Sequence, residues 1–243
     1  MDSPGMLTEF GLTFQEAKLY ISLHGHGAGT GYELARLAGI SRSNAYSGLA
    51  GLVDKGAANV VDGKPQRYVA VPVGEFCANR IRRQEEYRSA LEEELVLVVE
   101  DDCPYITIRG GVNIADKIKT IIASTRTRIY LAMRGHLLRE FVPQLAELAS
   151  AGVKVVIVTD VRPPVPGAII HVAGRLPESV RVIGDSAMTL TGELDGSSYC
   201  TCLYSVKKNL VNLIRDSIRS EILLIESASR GAQPDAGKAG LPS

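Results

Sequence analysis

The stretch from residue 39 to residue 71 constrains the fold more than any other part of the chain. It reads GISRSNAYSGLAGLVDKGAANVVDGKPQRYVAV. Ser41 is a favourable N-cap, Gly56 is typical of the position after a helix, and apolar residues recur at helical spacing between them. Two short apolar runs, 58–61 and 66–71, then flank an Asp-Gly pair that is typical of a hairpin turn. The pattern predicts a helix followed by a two-stranded ribbon.

Two further helices are predicted before this stretch. The T-x-x-E pattern of a capping box occurs at Thr13 and again at Thr30, each time ahead of apolar residues at helical spacing. Gly39 provides a tight turn between the second and third helices. Three helices and a ribbon predict a winged helix-turn-helix over residues 1–72. In that motif the N-terminal residues of the last helix reach base edges in the major groove of DNA, and the ribbon, or wing, lies over the backbone or the minor groove.

The predicted DNA contacts come from the start of the third helix and from the ribbon. We expect Ser43, Asn44, Tyr46 and Ser47 to face bases or phosphates, and Arg42, Lys64 and Arg67 to neutralise phosphates. Asparagine can pair with adenine and arginine with guanine, but the sequence alone places neither on a base. Residues 1–72 carry six Lys/Arg and six Asp/Glu, so binding to double-stranded DNA has to come from a local patch.

Residues 73–100 are predicted to form a long linker helix with a narrow apolar seam. Arginines and glutamates occupy most positions between the apolar ones. Such a seam requires a partner, and a second copy of the same helix is the simplest one. The sequence therefore favours a homodimer, although the seam could instead pack on the C-terminal domain of its own chain.

Residues 101–227 are predicted to form an α/β domain. Short apolar runs predict strands at 105–108, 128–132, 153–159, 180–183, 187–190 and 199–204, and helical patterns occur at 113–124, 136–151 and 207–225. The remaining segment, 228–243, is rich in small and polar residues, Gly and Pro, which predicts a disordered tail. The predicted fold class is thus α+β with several domains.

Composition excludes several classes of protein. The chain of 243 residues has 27 basic and 27 acidic side chains and no run of 18 apolar residues, so we expect a cytoplasmic protein without a membrane segment. Its cysteines, Cys77, Cys103, Cys200 and Cys202, form no C-x-x-C pair, and we expect reduced, partly buried thiols. No cofactor and no metal ion are predicted.

The segment 128–163 resembles the repeating half of the phospholipase D fold. Active members of that superfamily need the motif H-x-K-x-x-x-x-D, and none of the four histidines here is followed two residues later by lysine. No catalytic residue is therefore predicted, and the C-terminal domain is expected to bind a ligand or to dimerise. Polar residues at or just past predicted strand ends are the candidates for an effector site, because open α/β sheets bind ligands there. These candidates are Arg134, His136, Asp160, Arg162, His171 and Asp185.

The order of parts resembles the TrmB family of transcriptional regulators. The resemblance is carried by LTEFGLTFQEAKLYISL, by ELARLAGISRSNAYSGLAGLVDKG and by GKPQRYVAVP, and it extends to about Glu226. It implies a DNA-binding repressor or activator, often dimeric, with any small-molecule effector bound by the C-terminal domain. A departure is the third helix, which is rich in small residues between Ser47 and Gly51. Two alternatives stay open: a degenerate phosphodiesterase, and a winged helix that contacts protein instead of DNA.

Overall fold

A computed structural model of the protein describes residues 2–95, 105–174, 176–194 and 199–231. The chain divides into two units, Met1–Val98 and Val99–Ser243, each with its own hydrophobic core. Residues 73–95, which were predicted to lie in a linker helix, cluster with the first unit. The predicted fold class is confirmed: a winged helix-turn-helix with a long helix comes first, and an α/β unit follows.

The first unit contains one more helix than the sequence predicted. Its helices are α1 (Ser3–Glu9), α2 (Phe14–His26), α3 (Gly31–Ala38), α4 (Arg42–Asp54) and α5 (Val73–Glu94), and its ribbon pairs β1 (Ala58–Val61) with β2 (Arg67–Ala70) antiparallel. The additional helix is α1. Asp2 caps it by accepting a hydrogen bond from the Gly5 N–H at 3.0 Å, and Pro4 lies in its first turn, where the missing N–H of proline costs nothing.

The predicted helix starts are confirmed. Thr13 and Thr30 each accept a hydrogen bond from the backbone of a glutamate three residues later, and that glutamate accepts one in return. The hydroxyl of Ser41 accepts a hydrogen bond from Asn44 N–H at 3.3 Å. Gly39 has φ of 66°, the left-handed conformation that its turn requires.

The ribbon and the long helix differ from the prediction in their limits. The ribbon register pairs Val61 with Arg67, so five residues, 62–66, form the connection and not a tight Asp-Gly turn. Helix α5 ends at Glu94, with Leu95 as its C-cap. The last predicted residues of that helix, 96–100, lie outside the described residues.

Helices α2 and α4 approach each other closely because α4 carries glycines on its inner face. A Cβ at Gly48 would lie 2.5 Å from Cδ1 of the buried Leu19, and a Cβ at Gly51 would meet a carboxylate oxygen of Glu16. Glu16 also accepts a hydrogen bond from Nζ of Lys55 at 2.6 Å. Of the four small residues between Ser47 and Gly51, the two glycines are thus explained by the packing of α4 on α2.

The second unit is built on a seven-stranded mixed sheet. Its elements are β3 (Ile106–Arg109), α6 (Gly111–Ser124), β4 (Arg128–Ala132), α7 (Gly135–Leu138), α8 (Val142–Ser150), β5 (Lys154–Thr159), β6 (Ile169–Val172), β7 (Ser179–Gly184), β8 (Met188–Glu193), β9 (Thr201–Ser205) and α9 (Lys208–Gly231). The strand order is β3-β9-β8-β7-β4-β5-β6. Strands β4, β5 and β6 are parallel, and every other pairing is antiparallel.

Helices cover both faces of this sheet. Ile129 and Leu131 of β4 belong to the core beneath α6 and α8, whereas Ala132 belongs to the core beneath α9. This alternation follows from the period of two in a strand. Arg181 of β7 fastens α9 to the sheet, since its Nη2 donates to Oε2 of Glu221 at 2.6 Å.

Three predictions for the second unit were wrong. The single helix predicted at 136–151 is broken by a 3-10 turn, Arg139–Phe141, because Pro143 starts a new helix better than it continues an old one. Strand β6 was missed. Residues 228–231, predicted to begin a disordered tail, belong to α9, while residues 232–243 lie outside the described residues.

Within the described residues, no helix combines the length and the apolar character that crossing a bilayer demands.

Replacing Gly48 with alanine tests the packing of α2 against α4. Alanine is the better helix former by about 1 kcal/mol, but its methyl group would collide with the buried Leu19. Overpacking of this kind costs about 1–3 kcal/mol, so we expect Gly48→Ala to lower the free energy of unfolding. Urea unfolding followed by circular dichroism, with hydrogen exchange of the α2 amides, measures the loss. Gly74→Ala is the matched control, because no atom lies within 4 Å of that Cβ; a Gly48→Ala variant as stable as this control would contradict the prediction.

Candidate nucleic-acid interface

The outer face of α4 presents the predicted DNA-contacting side chains. Ala45, Leu49 and Leu52 point inward and are fully buried. The outward residues are exposed: Arg42, Ser43, Asn44, Tyr46, Ser47 and Ala50. One side of this helix therefore fills the core of the unit, and the opposite side is free to enter a groove.

The middle of that outer face is made of small side chains. Ser43, Ser47 and Ala50 recur at spacings of four and three residues, which aligns them along the helix. Arg42 and Asn44 are separated by about 200° around the helix axis, so they lie on opposite flanks of the face. The middle of the face is therefore low, with one longer polar side chain on each flank.

Aromatic residues hold α4 against the start of α3. The ring of Tyr46 packs on Gly31, where a Cβ would lie 2.5 Å from the ring. The guanidinium of Arg42 lies 4.3 Å from the ring centroid of Tyr32. Stacking on an aromatic face leaves the five N–H groups of an arginine available for other acceptors.

The wing is anchored at its base and exposed at its tip. Tyr68 of β2 forms a two-way backbone bridge with Gly29, at 2.8 and 3.0 Å, in the turn between α2 and α3. Arg67 donates from Nη2 to the carbonyl oxygen of Ala28 at 2.6 Å. Arg67 was predicted to neutralise a phosphate, but its Nη2 group already donates a hydrogen bond that holds the wing in place. Lys64 lies in the exposed loop 62–66.

In the second unit, two of the predicted effector residues are brought together. Asp160, directly after β5, accepts a hydrogen bond at 2.6 Å from the N–H of Gly135, the residue after Arg134. This backbone hydrogen bond is the main cause of the lowered pKa of Asp160. Arg134, two residues after the end of β4, donates to the carbonyl oxygen of Leu176 and to Glu178 Oε1 at 2.9 Å. Both side chains already have partners within the protein.

Asp185 lies at the other end of the strands from Arg134 and Asp160. It follows β7, which runs antiparallel to β4, so the end of β7 lies beside the start of β4. Its carboxylate accepts hydrogen bonds from the N–H groups of Arg126, Thr127 and Arg128 at 2.7–3.0 Å. Burial raises its pKa, but these hydrogen bonds outweigh burial and lower the pKa to about 2. Asp185 therefore does not share a site with Arg134 and Asp160, and its contacts are structural.

The remaining three candidates do not converge with these residues. His171 lies inside β6, and its Nδ1 is 3.7 Å from Oε1 of Glu226 on α9. Arg162 is exposed in the loop after β5. His136 is exposed and lines an open cavity of about 340 Å³, which Lys119 and Glu140 also line. The sequence could not show which candidates lie at the same end of the strands, because it did not reveal that β7 runs antiparallel to β4.

The three thiols of the described residues lie in or beside the hydrophobic cores. Cys200 and Cys202 are buried in the core beneath α6, and Cys77 is half-buried. Burial raises the pKa of Cys202 to about 12. Cys103 lies outside the described residues. Among the described residues, no group of three or more histidine, cysteine, aspartate or glutamate side chains could hold a metal ion.

Two residues at the exposed face of α4 were not among the predicted DNA contacts. Tyr32 supports Arg42 from α3, and Ala50 continues the exposed stripe of Ser43 and Ser47. Helical spacing from Ser43 and Ser47 would have identified Ala50. Nothing in the sequence indicates the contact of Tyr32, because it depends on how α3 packs beside α4.

Comparisons with known proteins bear on the first unit most directly. Residues 7–74 match the family model described as Sugar-specific transcriptional regulator TrmB, which confirms the resemblance over the winged helix. The chain is 31% identical over 156 residues to Uncharacterized protein YrhO of Bacillus subtilis (strain 168). That alignment covers 63% of this chain, and the chain spans 57% of the length of YrhO.

Three solved structures are similar at low sequence identity. TrmBL2, an archaeal chromatin protein with a novel mode of DNA binding, aligns at 19% identity and a TM-score of 0.43 over 90% of this chain and 96% of its own. NucT from Helicobacter pylori aligns at 14% identity and 0.40, over 50% and 96% of the two chains. Nuc from Salmonella typhimurium, a phospholipase D family member, aligns at 15% and 0.36, over 48% and 93%.

Replacing Asp185 with asparagine tests its structural assignment and has a defined pH dependence. The folded-state pKa of about 2 lies below the ordinary value of 3.8. The stabilisation is therefore complete above about pH 4 and is lost as the pH falls toward 2. We expect Asp185→Asn to lower the free energy of unfolding at pH 7 by about 1.5–3 kcal/mol, the range for hydrogen bonds to a charged group. Urea unfolding at a series of pH values measures this difference, which should shrink below about pH 4.

Asp216→Asn is the control for this experiment, because the Asp216 side chain is 67% exposed. A change within about 0.5 kcal/mol is expected there. A loss at Asp185 that stays the same at every pH would contradict the assignment.

Proposed function

We propose that this protein is a sequence-specific, DNA-binding transcriptional regulator that acts as a homodimer. The observation that carries the proposal is the exposed polar face of α4, backed by a fully buried face of the same helix. The TrmB-family match over residues 7–74 supports it. In the complex, α4 enters the major groove of double-stranded DNA and the wing lies over the adjacent backbone.

The proposed role of each α4 residue depends on its position on the exposed face. Ser43 and Ser47, in the middle of the face, donate to phosphates or base edges at close range. Asn44 on one flank has the groups to pair with adenine, and Arg42 on the other has the groups to pair with guanine or a phosphate. Tyr46 contributes its exposed ring edge while its other side packs on Gly31.

The wing contributes a phosphate contact at its tip. Lys64 is exposed and lies in the loop between β1 and β2. Arg67 acts at the base of the wing, where its bond to the carbonyl oxygen of Ala28 sets the wing against the helix pair. With four to six phosphate contacts per dimer, the logarithm of the binding constant should fall against the logarithm of salt with a slope of about −4 to −5.

The long helix α5 and the second unit complete the proposal. Helix α5 serves as the dimerisation helix and sets the distance between the two α4 helices, which fixes the spacing of operator half-sites. The second unit contributes to dimerisation and binds a small-molecule effector. The cavity beside His136, with Lys119 and Glu140 in its wall, is the proposed effector site.

Alanine substitution at Arg42 and Asn44 tests the placement of α4. Each variant should bind operator DNA about 1–3 kcal/mol more weakly if its side chain reads a base. Fluorescence anisotropy with a duplex from upstream of the protein's own gene, beside a scrambled duplex and across a salt series, measures the loss. Lys18→Ala, which removes an equal charge from α2 above the ring of Phe14, is the control and should bind like the unaltered protein.

Unchanged binding in both variants would contradict this placement of α4. Absence of binding at about 50 mM salt would favour the protein-contacting alternative, because phosphate contacts strengthen as salt falls.

The phosphodiesterase alternative is tested with a chromogenic phosphodiester. We expect no turnover, because no histidine of the sequence is followed two residues later by lysine. Hydrolysis that disappears in a His136→Ala or His171→Ala variant would overturn this expectation, while hydrolysis that persists in both points to a contaminant. An inactive preparation of a known hydrolase serves as the background.

A further inference from the structure

Helix α5 carries an exposed seam along its whole length. The seam residues recur at alternating spacings of four and three, as in a coiled coil: Cys77, Ile81, Gln84, Arg88, Leu91 and Leu95. Ile81 is 50% exposed, Leu91 is 49% exposed and Leu95 is 66% exposed. Only Phe76 of this helix is buried in the winged-helix core. Leucines at this spacing and exposure require another apolar surface.

The beginning of the seam lies in an apolar trough. A hollow of about 520 Å³ is walled by α1, α2 and the first turns of α5, and Met6, Phe10, Ile21 and Val73 line it with Cys77. Met6 is 50% exposed and Val73 is 44% exposed. Phe10 also borders a second hollow beside Ile81 and Gln84. The N-terminal half of the seam thus offers a receiving surface, and the C-terminal half offers projecting leucines.

The charges of α5 are divided between its two halves. Residues 73–83 carry three arginines and one glutamate, whereas residues 84–94 carry one arginine and five glutamates. A parallel pair of such helices would place arginines beside arginines and glutamates beside glutamates. An antiparallel pair places the basic half of each beside the acidic half of the other, which is the attractive arrangement.

We propose that α5 pairs with α5 of a second copy in the antiparallel direction. The proposal deepens the homodimer of the proposed function by naming the surface and its orientation. Leu95 of one copy enters the trough beside Cys77 of the other, and Leu91 packs on Ile81. Gln84 and Arg88 then meet the same two residues of the partner at the centre.

The polar centre fixes the register of the pair. A side-chain amide can accept a hydrogen bond from a guanidinium, so Gln84 and Arg88 satisfy each other across the two-fold axis. Sliding one helix by a heptad would place Arg88, which lies 3.8 Å from Glu92 of its own helix, against an apolar residue and would separate it from Gln84. Single polar residues on such seams are known to select register and orientation in this way.

Cysteine cross-linking tests the orientation, using the native Cys77. Leu95→Cys is made in a chain that carries Cys103→Ser, so that the exposed new thiol has Cys77 as its counterpart; Cys200 and Cys202 are buried in the second unit. Positions 77 and 95 of one helix are about 27 Å apart at 1.5 Å per residue, so they cannot pair within a chain. Oxidation with copper-phenanthroline at about pH 9, where more of the Cys77 thiol is ionised, should give a covalent dimer on a non-reducing gel.

Two control variants make the result decisive. Adding Cys77→Ser to Leu95→Cys should abolish the covalent dimer. Ser89→Cys, on the side of α5 away from the seam, should not form one with Cys77. A dimer that survives Cys77→Ser would show parallel pairing through position 95 and would overturn the proposal. So would the absence of a cross-link, whether sedimentation finds a dimer or a monomer.

The cross-link requires no DNA, which separates it from the proposed function. Operator binding that persists without the cross-link rejects the antiparallel pairing alone. A cross-link that forms in protein unable to bind operator DNA rejects the DNA-binding function alone.

Discussion

The geometry of the winged-helix unit depends on the carboxylate of Glu16. It accepts a hydrogen bond from Thr13 N–H at 2.7 Å, which completes the start of α2, and one from Lys55 Nζ at 2.6 Å, just after the end of α4. Burial raises the pKa of Glu16, but Lys55 and Thr13 together lower it below its ordinary value. Removing one partner of such a pair leaves a buried charge unpaired, which is strongly unfavourable. The start of one helix and the end of the other are therefore fixed together.

A second set of contacts links α2 to the wing and to α5. Tyr20 of α2 donates from its hydroxyl to the carbonyl oxygen of Val71 at 2.7 Å, just after β2, and its ring lies 5.8 Å from that of Phe76 in the first turn of α5. Helix α2 thus contacts α4 on one side and the start of α5 on the other. The relative positions of α4, the wing and α5 all follow from how each packs on α2.

Local patterns in the sequence predicted the first unit well and the second unit only in outline. Thr13, Thr30 and Ser41 cap helices through hydrogen bonds made within one turn. Capping patterns and helical periodicity in the sequence are therefore sufficient to locate these helix starts. The direction of β7, and hence the position of Asp185, depends on long-range pairing that no local pattern encodes. Gly48 illustrates the same limit. The sequence shows that α4 is rich in small residues, but it does not show that the buried Leu19 lies opposite Gly48 and leaves no room for a larger side chain.

The two proposals constrain each other through the arginines of α5. Arg80 already donates from Nε to the carbonyl oxygen of Phe10 at 3.0 Å, and Arg82 lies 4.0 Å from Glu86 on its own helix. If the acidic half of a partner helix lies beside them, these cations are neutralised within the dimer and contribute little to a DNA complex. Phosphate contacts must then come from Arg42, Lys64 and the hydroxyl and amide donors of α4 in each copy. A protein of zero net charge can bind an operator in this way, because its specificity and its affinity come from the same small surface, and little attraction is left for DNA of other sequences.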